Sequence, residues 1–513
     1  MAKAVEQDKT NSLAVCVEGL QSLVQAAVQD GRPLHELEKG IWKQVLSIGN
    51  AALGSFLEQQ GTGDRGETAT APDGSEYRRL PENRTREYQS IFGSFEIERT
   101  VYGTRDKQQI KYVPLDERLG LPQSKFSYLL QDWAQMLAVD EAFAQAKSVI
   151  GRLFSVEISV DSLERMCRQM AEDVVDFRRE RPIPPPQEEG EVFVASGDGK
   201  GIPIRRQDAD AAPAAKAAEE LPDHHPRSGP KPGRKQMAIV GTVYSVDRYV
   251  RTPEQVLEAL FHDSNTRPAL PDKRPRPCHK HVSANMTFTH EGHEMTGTHS
   301  TFDWMAKELE ARNPDQAHET VCVMDGQTSL WDAADVHLPA KRRIDILDLL
   351  HVIQYVWKAA HVFHATGSDA AEEFTRERIL RILRGEVGAV ISGLRRMAGL
   401  RRLGRLNKAT IEQVCGYFDN NRDRMQYDQY LASGYPIASG AIEGACRHLV
   451  KDRLERTGMR WVKPGAQAML DMRSTWINGD WDTYQSFRID REMDRLYPGR
   501  DRSLNAPHRR LAA

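Results

Sequence analysis

The hydrophobic pattern divides the chain into a first part that is mostly helical and a second part that begins with strands. Before the first proline-rich break, apolar residues recur mainly at helical spacing. One stretch, residues 94–102, alternates apolar and polar positions between glycines, which predicts a single strand. Residues 140–154 and 159–177 predict two helices joined by a short turn, with Asp140 and either Ser159 or Asp161 as N-caps. This pair is typical of a helix-turn-helix, although an ordinary helical hairpin has the same pattern.

After residue 190, short apolar runs replace the helical pattern. Four of them predict strands, at residues 191–198, 237–246, 320–325 and 343–348, and the last leads directly into a predicted helix over residues 349–363. Strands followed by alternating strands and helices predict an α/β sheet. A further helical stretch, a glycine-rich turn and another helix complete the pattern.

The composition is that of a globular chain with balanced charge. Of 513 residues, 40% are hydrophobic and 28% charged, and 70 Lys and Arg nearly balance 73 Asp and Glu. This balance argues against a uniformly basic surface but allows a local basic groove. The six cysteines form no C-x-x-C pair, which argues against a disulfide framework or a cysteine-rich zinc site. Without a long apolar run or an apolar signal core, we expect a soluble intracellular protein with no membrane segment.

Two aspartates end predicted strands, and each is followed by glycine. Asp198 follows the run Val-Phe-Val-Ala-Ser-Gly, and Asp325 follows Val-Cys-Val-Met. Carboxylates at the carboxyl ends of strands lie at the edge of a sheet where α/β proteins bind ligands. A single Asp-Gly pair after a strand is more often a turn. Two of them in one sheet favour a metal or general-base site.

A third carboxylate, Glu443, lies at the start of the helix after the glycine-rich turn. Ser439 is the expected N-cap, so Glu443 falls in the first turn, where the helix dipole favours an anion. On a regular helix Glu443 shares a face with Arg447 and Lys451, at i, i+4 and i+8. The commonest use of such a pair is a surface salt bridge, so the spacing alone leaves a structural role open.

Five short motifs stand out along the chain: Asp198-Gly-Lys-Gly-Ile-Pro-Ile, Lys235-Gln-Met-Ala-Ile-Val-Gly-Thr-Val-Tyr-Ser-Val-Asp, Val250-Arg-Thr-Pro-Glu-Gln-Val, Val323-Met-Asp325-Gly and Tyr435-Pro-Ile-Ala-Ser-Gly-Ala-Ile-Glu443-Gly. Together they resemble the bacterial insertion-sequence transposases of the ISKra type, over about residues 90 to 480. Those are DDE enzymes with an RNase H-like core, distantly similar to Mutator-type transposases. The resemblance implies a location in the bacterial cytoplasm, associated with the nucleoid.

The resemblance also implies the site residues. Asp198, Asp325 and Glu443 match the catalytic, metal-binding acids, and Asp348 with His351 matches the D/C-x-x-H signature of the Mutator-like groups. His351 would orient Asp348 or contact a phosphate, although a histidine on an apolar helix is more often a core residue. The helical stretch between Asp348 and Glu443 corresponds to the all-α insertion of this superfamily.

Three such carboxylates suit metal-dependent phosphoryl transfer. They can hold two magnesium ions about 4 Å apart, a separation that fits in-line displacement at phosphorus. One ion activates the attacking water or 3′-hydroxyl, and the other stabilises charge on the departing oxygen. Hard carboxylate oxygens favour Mg²⁺ or Mn²⁺, so two such ions are the expected cofactors.

Basic residues are concentrated on either side of Glu443. Ten Lys and Arg lie between residues 376 and 408 against two acidic residues, and six against two between residues 447 and 463. One isolated run is usually a solvated face, but two runs flanking a proposed catalytic acid favour a phosphate-binding groove. Trp461 could stack on an unpaired base, and packing in the core explains it equally well. The candidate DNA-binding residues are Arg395, Arg396, Arg401, Arg402, Arg405, Arg447, Lys451, Arg460 and Trp461.

The composition breaks, read with the resemblance, predict the domain organisation. The stretch at 205–236, rich in Ala, Pro and charge, has too few large apolar residues to fold, so we expect a disordered loop there. The predicted segments are a mostly helical region for DNA binding or dimerisation with the candidate helix-turn-helix at 140–177 (1–181), a Pro-rich linker (182–190), the first part of an RNase H-like core (191–363), an all-α insertion (364–432), the last part of the core (433–480) and a C-terminal tail (481–513).

The expected function is DNA transposition. The protein would bind the terminal inverted repeats of its own element as double-stranded DNA, cleave them and join the 3′ ends to a target. We expect a homodimer or higher oligomer on DNA, because transposases usually pair two ends. The alternative is a catalytically silent DNA-binding descendant of a transposase. A glycosidase with paired carboxylates is disfavoured, since aromatics make up 7% of the chain and arginine-rich runs are prominent.

Overall fold

The computed structural model describes residues 12–104, 109–205, 235–261, 274–290 and 293–499. The chain divides into two compact units, one formed by Met1–Phe177 with Trp481–Ala513 and the other by Arg178–Asp480. None of the helices within the described ranges is long and apolar enough to cross a membrane.

The first unit combines helices with short strands. Its elements are α1 (Leu13–Asp30), α2 (Leu34–Gln59), β1 (Thr68–Thr70), β2 (Glu76–Arg79), β3 (Arg84–Ser90), β4 (Gly93–Arg99), β5 (Tyr102–Thr104), β6 (Gln109–Tyr112), α3 (Pro114–Leu119), α4 (Tyr128–Asp140), α5 (Phe143–Phe154), α6 (Val160–Ala171) and α7 (Val174–Glu180), the last of which crosses the boundary. Strands β1, β2, β5 and β6 form one antiparallel sheet, and β3 pairs with β4.

Two expectations for this region are wrong. The sequence predicts one strand, whereas the structure has six, because these strands are short, mostly polar and only partly buried. Asp140 ends α4 rather than capping the next helix, which begins at Phe143. Ser159 does cap α6, its hydroxyl accepting the amide hydrogen of Ser162. The stretch 140–177 therefore holds α5, α6 and the start of α7, and a role of this stretch in DNA binding stays a prediction.

The second unit is built around a five-stranded sheet. Its elements are β7 (Val192–Pro203), β8 (Lys235–Val246), α8 (Pro253–Leu260), β9 (Cys278–Met286), β10 (Phe288–His290), β11 (His293–Met295), α9 (Gly297–Arg312), β12 (Glu319–Met324), α10 (Thr328–His337), β13 (Arg343–Leu347), α11 (Leu349–Phe363), α12 (Asp369–Leu383), α13 (Val387–Leu400), α14 (Arg405–Asn420), α15 (Tyr427–Ala432), α16 (Gly440–Ala445), α17 (Asp452–Leu454) and α18 (Lys463–Ile477). Helix α19 (Trp481–Leu496) follows and belongs to the first unit.

The predicted C-terminal tail is therefore helical over much of its length. Trp481, Tyr484, Gln485 and Arg488 are buried at the 3- and 4-residue spacing of one helix face. The Tyr484 hydroxyl donates to the carbonyl of Met170 on α6. An amphipathic face packed within the first unit explains why these residues do not extend into solvent.

The central sheet has the order β13-β12-β7-β8-β9. Strands β7, β8 and β9 run antiparallel to one another, and β12 and β13 run parallel to β7. The α/β expectation is thus confirmed as a mixed α/β fold. Strand β9 was missed, because its central residues Ser283 and Ala284 are small and no apolar alternation marks them.

Strand β7 does not end at Asp198, as the sequence predicts. It continues to Pro203, because β8 pairs with it without interruption from Val192↔Val246 to Pro203↔Lys235. The glycines that suggested a turn instead allow the two strands to approach closely; a Cβ on Gly199 would lie 2.8 Å from the Met237 methyl.

Helices cover both faces of the sheet. Helices α9 and α10 pack on one face, against Phe193 and Ala195 of β7. Helix α11 and the helices of the predicted insertion pack on the other, against Val192 and Val194. Because the buried side chains of α12, α13 and α14 belong to the same core as the sheet, the insertion shares its hydrophobic core.

The predicted disordered loop lies largely outside the described residues, which resume at Lys235 as β8 begins. Residues 235 and 236, assigned to the loop from the sequence, are in that strand.

We expect the loop to be dispensable for folding. Pro203 and Lys235 are paired at the end of the β7–β8 ladder, so a short turn can connect the strands. Replacing residues 206–234 with a short Gly/Ser turn should raise the free energy of unfolding by no more than about 2 kcal/mol, since each halving of loop length lowers the closure cost by about 0.6 kcal/mol. Urea unfolding followed by circular dichroism measures this. A drop of several kcal/mol would mean that the segment contributes to the core.

Candidate functional site

Strand register places two of the predicted acids side by side. In the parallel β7–β12 ladder the last pair is Ala195↔Cys322. Asp198 and Asp325 each lie three residues further on, so the register puts them at the same level on adjacent strands. Side chains alternate between the two faces of a strand, and Asp198 lies four residues after Val194. Asp198 is therefore on the same face as Val194, the face that α11 covers.

The third parallel strand extends this row. Met324 pairs with Leu347 in the β12–β13 ladder, so Asp325 and Asp348 are the next residues on each strand. The Asp348 amide donates to the Met324 carbonyl at 2.8 Å, which continues the ladder past the end of β13. Three aspartates thus occupy one row across three neighbouring strands: Asp325 and Asp348 directly follow β12 and β13, and Asp198 lies within the longer β7.

The Asp348 carboxylate is fully buried and accepts four hydrogen bonds. Its Oδ1 receives the amide hydrogens of Leu350 (3.3 Å) and Ser439 (2.8 Å). Its Oδ2 receives the amide hydrogen of His351 (3.3 Å) and lies 2.6 Å from His351 Nδ1. Four donors fill the acceptor sites of a carboxylate. Asp348 is therefore suited to orienting its neighbours rather than to binding a metal ion.

These contacts explain the ionisation of the pair. Burial raises the pKa of Asp348, but the hydrogen bonds from His351 and Ser439 outweigh it and hold the pKa below its usual value. The hydrogen bond to Asp348 raises the pKa of His351. The ion pair with Asp348 thus favours a protonated imidazole.

Glu443 joins the row from a different part of the chain. It lies on α16, which directly follows Ser439. The hydrogen bond from the Ser439 amide to the Asp348 carboxylate holds the start of this helix next to Asp348. Ligand atoms of Asp348, His351 and Glu443 lie within 4.8 Å of one another, and theirs is the one such group of three among the described residues. Ser439 occupies the expected N-cap position, but its side chain makes no capping bond.

The acids affect one another electrostatically. Burial raises the pKa of Asp325, and the charges of Asp198 and Asp348 raise it further, against the opposing effects of the Gln327 amide and His351. Burial and the same two aspartates raise the pKa of Glu443. The structure therefore brings all three predicted catalytic acids to one place, together with Asp348 and His351.

Cys446 is a residue of this site that the sequence did not reveal. Its thiol donates to Asp198 Oδ2 at 3.3 Å, while the Gly199 amide donates to Oδ1 at 2.6 Å. Residues Cys446–Lys451 form a π-helical turn directly after α16. This turn departs from the regular α-helical spacing assumed for Glu443, Arg447 and Lys451; all three residues are exposed, and their shared face stays a prediction.

The glycine after Asp325 is required by a neighbouring side chain rather than by a turn. A Cβ on Gly326 would lie 2.3 Å from Cε2 of Tyr417, on α14. The Tyr417 ring stacks on Tyr355 of α11, with centroids 3.8 Å apart. Tyr417 therefore packs directly over the loop that carries Asp325, a contact that no local pattern indicates.

The candidate DNA-binding residues differ in their surroundings. Arg395 is paired with Asp419 at 3.0 Å, and Arg401 donates to the Phe363 carbonyl at 3.0 Å. The other predicted cations are exposed: Arg396, Arg402, Arg405, Arg447, Lys451 and Arg460. Exposed arginines and lysines remain available to phosphates.

Trp461 is the exception, because it is only 8% exposed. Its indole Nε1 donates to the Leu454 carbonyl at 3.0 Å, and the Arg453 guanidinium lies over its ring. Of the two interpretations left open by the sequence, the structure favours core packing over base stacking.

Comparison with known proteins gives little further information. No family model matches the chain, and no curated protein matches it. Among solved structures it is similar to the Drosophila P element transposase strand transfer complex, with 11% identity over 69% of this chain and 80% of that chain. The TM-score of that match is 0.21, so the match carries no argument about fold or function.

We expect Asp348→Ala to destabilise the second unit by about 3 kcal/mol, because it leaves buried amide hydrogens and the His351 ring without their acceptor. The pKa of His351 should fall towards its ordinary value. Urea unfolding and histidine NMR titration measure the two effects. Asp332→Ala, an exposed position on α10, is the control and should change stability by less than about 0.5 kcal/mol. An unchanged His351 pKa would contradict the assigned ion pair.

Proposed function

We propose that this protein is a DDE transposase of the ISKra type. The observation that carries the proposal is the convergence of Asp198, Asp325 and Glu443 from three separate parts of the sequence at one edge of the sheet. The mixed sheet, with its antiparallel strands followed by two parallel ones, supports an RNase H-like core. We further propose that the substrates are the terminal inverted repeats and a target duplex, bound by a dimer or higher oligomer.

Asp198, Asp325 and Glu443 would hold two magnesium or manganese ions, and Glu443 also belongs to the group of Asp348, His351 and Glu443 whose ligand atoms lie within 4.8 Å of one another. The Glu443 carboxylate accepts no hydrogen bond from any residue that the structure describes, and the Asp325 carboxylate accepts one, from the Gln327 amide at 2.9 Å. Carboxylate oxygens with unfilled acceptor sites are a favourable site for a hard divalent cation. When bound, such ions activate the attacking oxygen and stabilise the departing 3′ oxygen.

The protein side chains have separate roles in holding the cations, positioning Glu443 and His351, and contacting DNA. Asp198 and Asp325, fixed by strand register, hold the cations on the sheet, and Glu443 closes the set from α16. Asp348 positions Glu443 through the Ser439 amide and orients His351 through Nδ1. This leaves His351 Nε2 free to contact a phosphate oxygen beside the acids. Exposed arginines of α13 and α14 hold the DNA backbone.

Alanine at Asp198, Asp325 or Glu443 should each reduce end cleavage by at least about a thousand-fold, because an incomplete set of ligands holds the ions poorly. A double variant should lose little more than a single one. The assay is cleavage of a labelled duplex carrying the ends of the element, with Mg²⁺. Ca²⁺ should support binding without cleavage.

Asp332→Ala is the control for this series and should retain substantial activity. DNA binding should survive in the three alanine variants. If the wild-type protein binds the end sequence but never cleaves it, the alternative of a silent DNA-binding descendant is correct. Wild-type rates in Glu443→Ala would mean that the triad is misassigned.

The double variant Arg396→Glu with Arg405→Glu should weaken binding to all DNA sequences alike. It should also reduce the slope of log affinity against log salt concentration, by about one unit for each phosphate that the variant no longer neutralises. Both residues are exposed and unpaired among the described residues. Lys307→Glu, on α9 at the opposite face of the sheet, reverses a single charge; it is the control for either single variant, Arg396→Glu or Arg405→Glu, and should have little effect. Fluorescence anisotropy over a range of salt concentrations measures this. Weakening confined to the end sequence would mean that these arginines read bases.

A further inference from the structure

Helix α1 carries an apolar face that no described part of the chain covers. Against α2 it buries only Cys16 and Ala27. Leu13, Val17, Val24 and Val28 remain 41%, 39%, 39% and 77% exposed. At 100° per residue these four positions fall within an arc of about 60°. They form a continuous stripe beside the face that contacts α2, rather than scattered apolar residues of an ordinary surface.

The spacing of this stripe is that of a coiled coil. Leu13, Val17, Leu20 and Val24 follow one another at intervals of 4, 3 and 4 residues, the alternation of d and a positions in a heptad. Within α1, leucine then occupies two of the three d positions and valine both a positions; the third d position is Ala27, which is already buried. This combination favours two parallel strands over three or four, because the β-branched residues pack best at a in a parallel pair.

The flanking positions favour pairing with an identical helix. In this register the e and g positions are Ala14, Cys16, Gln21, Leu23, Val28 and Asp30. Only Asp30 is charged, and it lies at the end of the helix, so two copies brought together meet almost no like-charge repulsion. The other charged residue of α1, Glu18, lies at b, away from the seam.

We propose that α1 is a dimerisation helix, which pairs with α1 of a second copy of this chain as a parallel two-stranded coiled coil. Val17 and Val24 then face their equivalents across a twofold axis, and Leu13 and Leu20 pack between them. Packing on α2 already forms the helix in each chain, so association need not also provide the free energy of helix nucleation. The inference is independent of the proposed catalytic function.

The first experiment measures mass in solution. The full chain at about 1 to 50 µM should have the mass of a dimer by light scattering, and Val17→Asp with Val24→Asp should give the mass of a monomer. Ser22→Asp is the matched control, because Ser22 is exposed at an f position on the opposite side of α1. Circular dichroism should show that all variants remain folded. A monomeric wild-type protein over this range, or a dimer that survives both aspartates, would overturn the proposal.

The second experiment tests the parallel arrangement. Val24→Cys should form a disulfide-linked dimer under mild oxidation, because equivalent a positions face each other in a parallel pair. Ser22→Cys and the wild-type protein, with its six native cysteines, measure the background. Cross-linking only in a mixture of Val17→Cys and Val24→Cys chains would show antiparallel helices and overturn the proposed geometry. Cross-linking equal to that of Ser22→Cys would show that α1 does not form the interface.

Discussion

Four carboxylates meet at one edge of the sheet, and their mutual repulsion is the constraint to which the surrounding structure responds. Parallel register alone places Asp198, Asp325 and Asp348 side by side, and α16 adds Glu443. Burial raises the pKa of Asp325 and of Glu443, and the charges of Asp198 and Asp348 raise both further. Such a cluster is stable when hydrogen bonds or cations compensate its charge.

The chain compensates the charges in two different ways. Asp348 is compensated internally, by three amide hydrogens and the His351 imidazole, and its pKa is lowered despite complete burial. The other acids are less fully compensated by described residues: each oxygen of Asp198 accepts one hydrogen bond, the Asp325 carboxylate accepts one, and the Glu443 carboxylate accepts none. Because Asp348 also binds the Ser439 amide, the buried acid determines where Glu443 lies. The structural carboxylate and the open ones are therefore parts of a single arrangement.

The sequence predicts best the features that have local causes. Helix α11 lies where expected, since Asp348 caps a strongly apolar helix directly after a strand. Pairing between distant segments is not encoded locally. Glycines around Asp198 look like a turn, and only the unbroken partner strand β8 shows that β7 continues through them. The convergence of the acids was inferred from a family resemblance rather than from spacing. Cys446 was missed because a π-helical turn has no simple sequence signature.

The predicted all-α insertion is in direct contact with the loop that carries one of the acids. Its position in the sequence, between two parts of the core, does not by itself require such a contact. Its buried side chains belong to the same core as β7 and β12, and Tyr417 of α14 packs against Gly326, next to Asp325. A shift of α14 would therefore move the loop that carries this acid. The same helix begins at the exposed Arg405, so a phosphate held there acts on an element already in contact with the acid row. Helix α14 thus connects Arg405, a predicted DNA-binding residue, with the loop of Asp325, a predicted metal ligand.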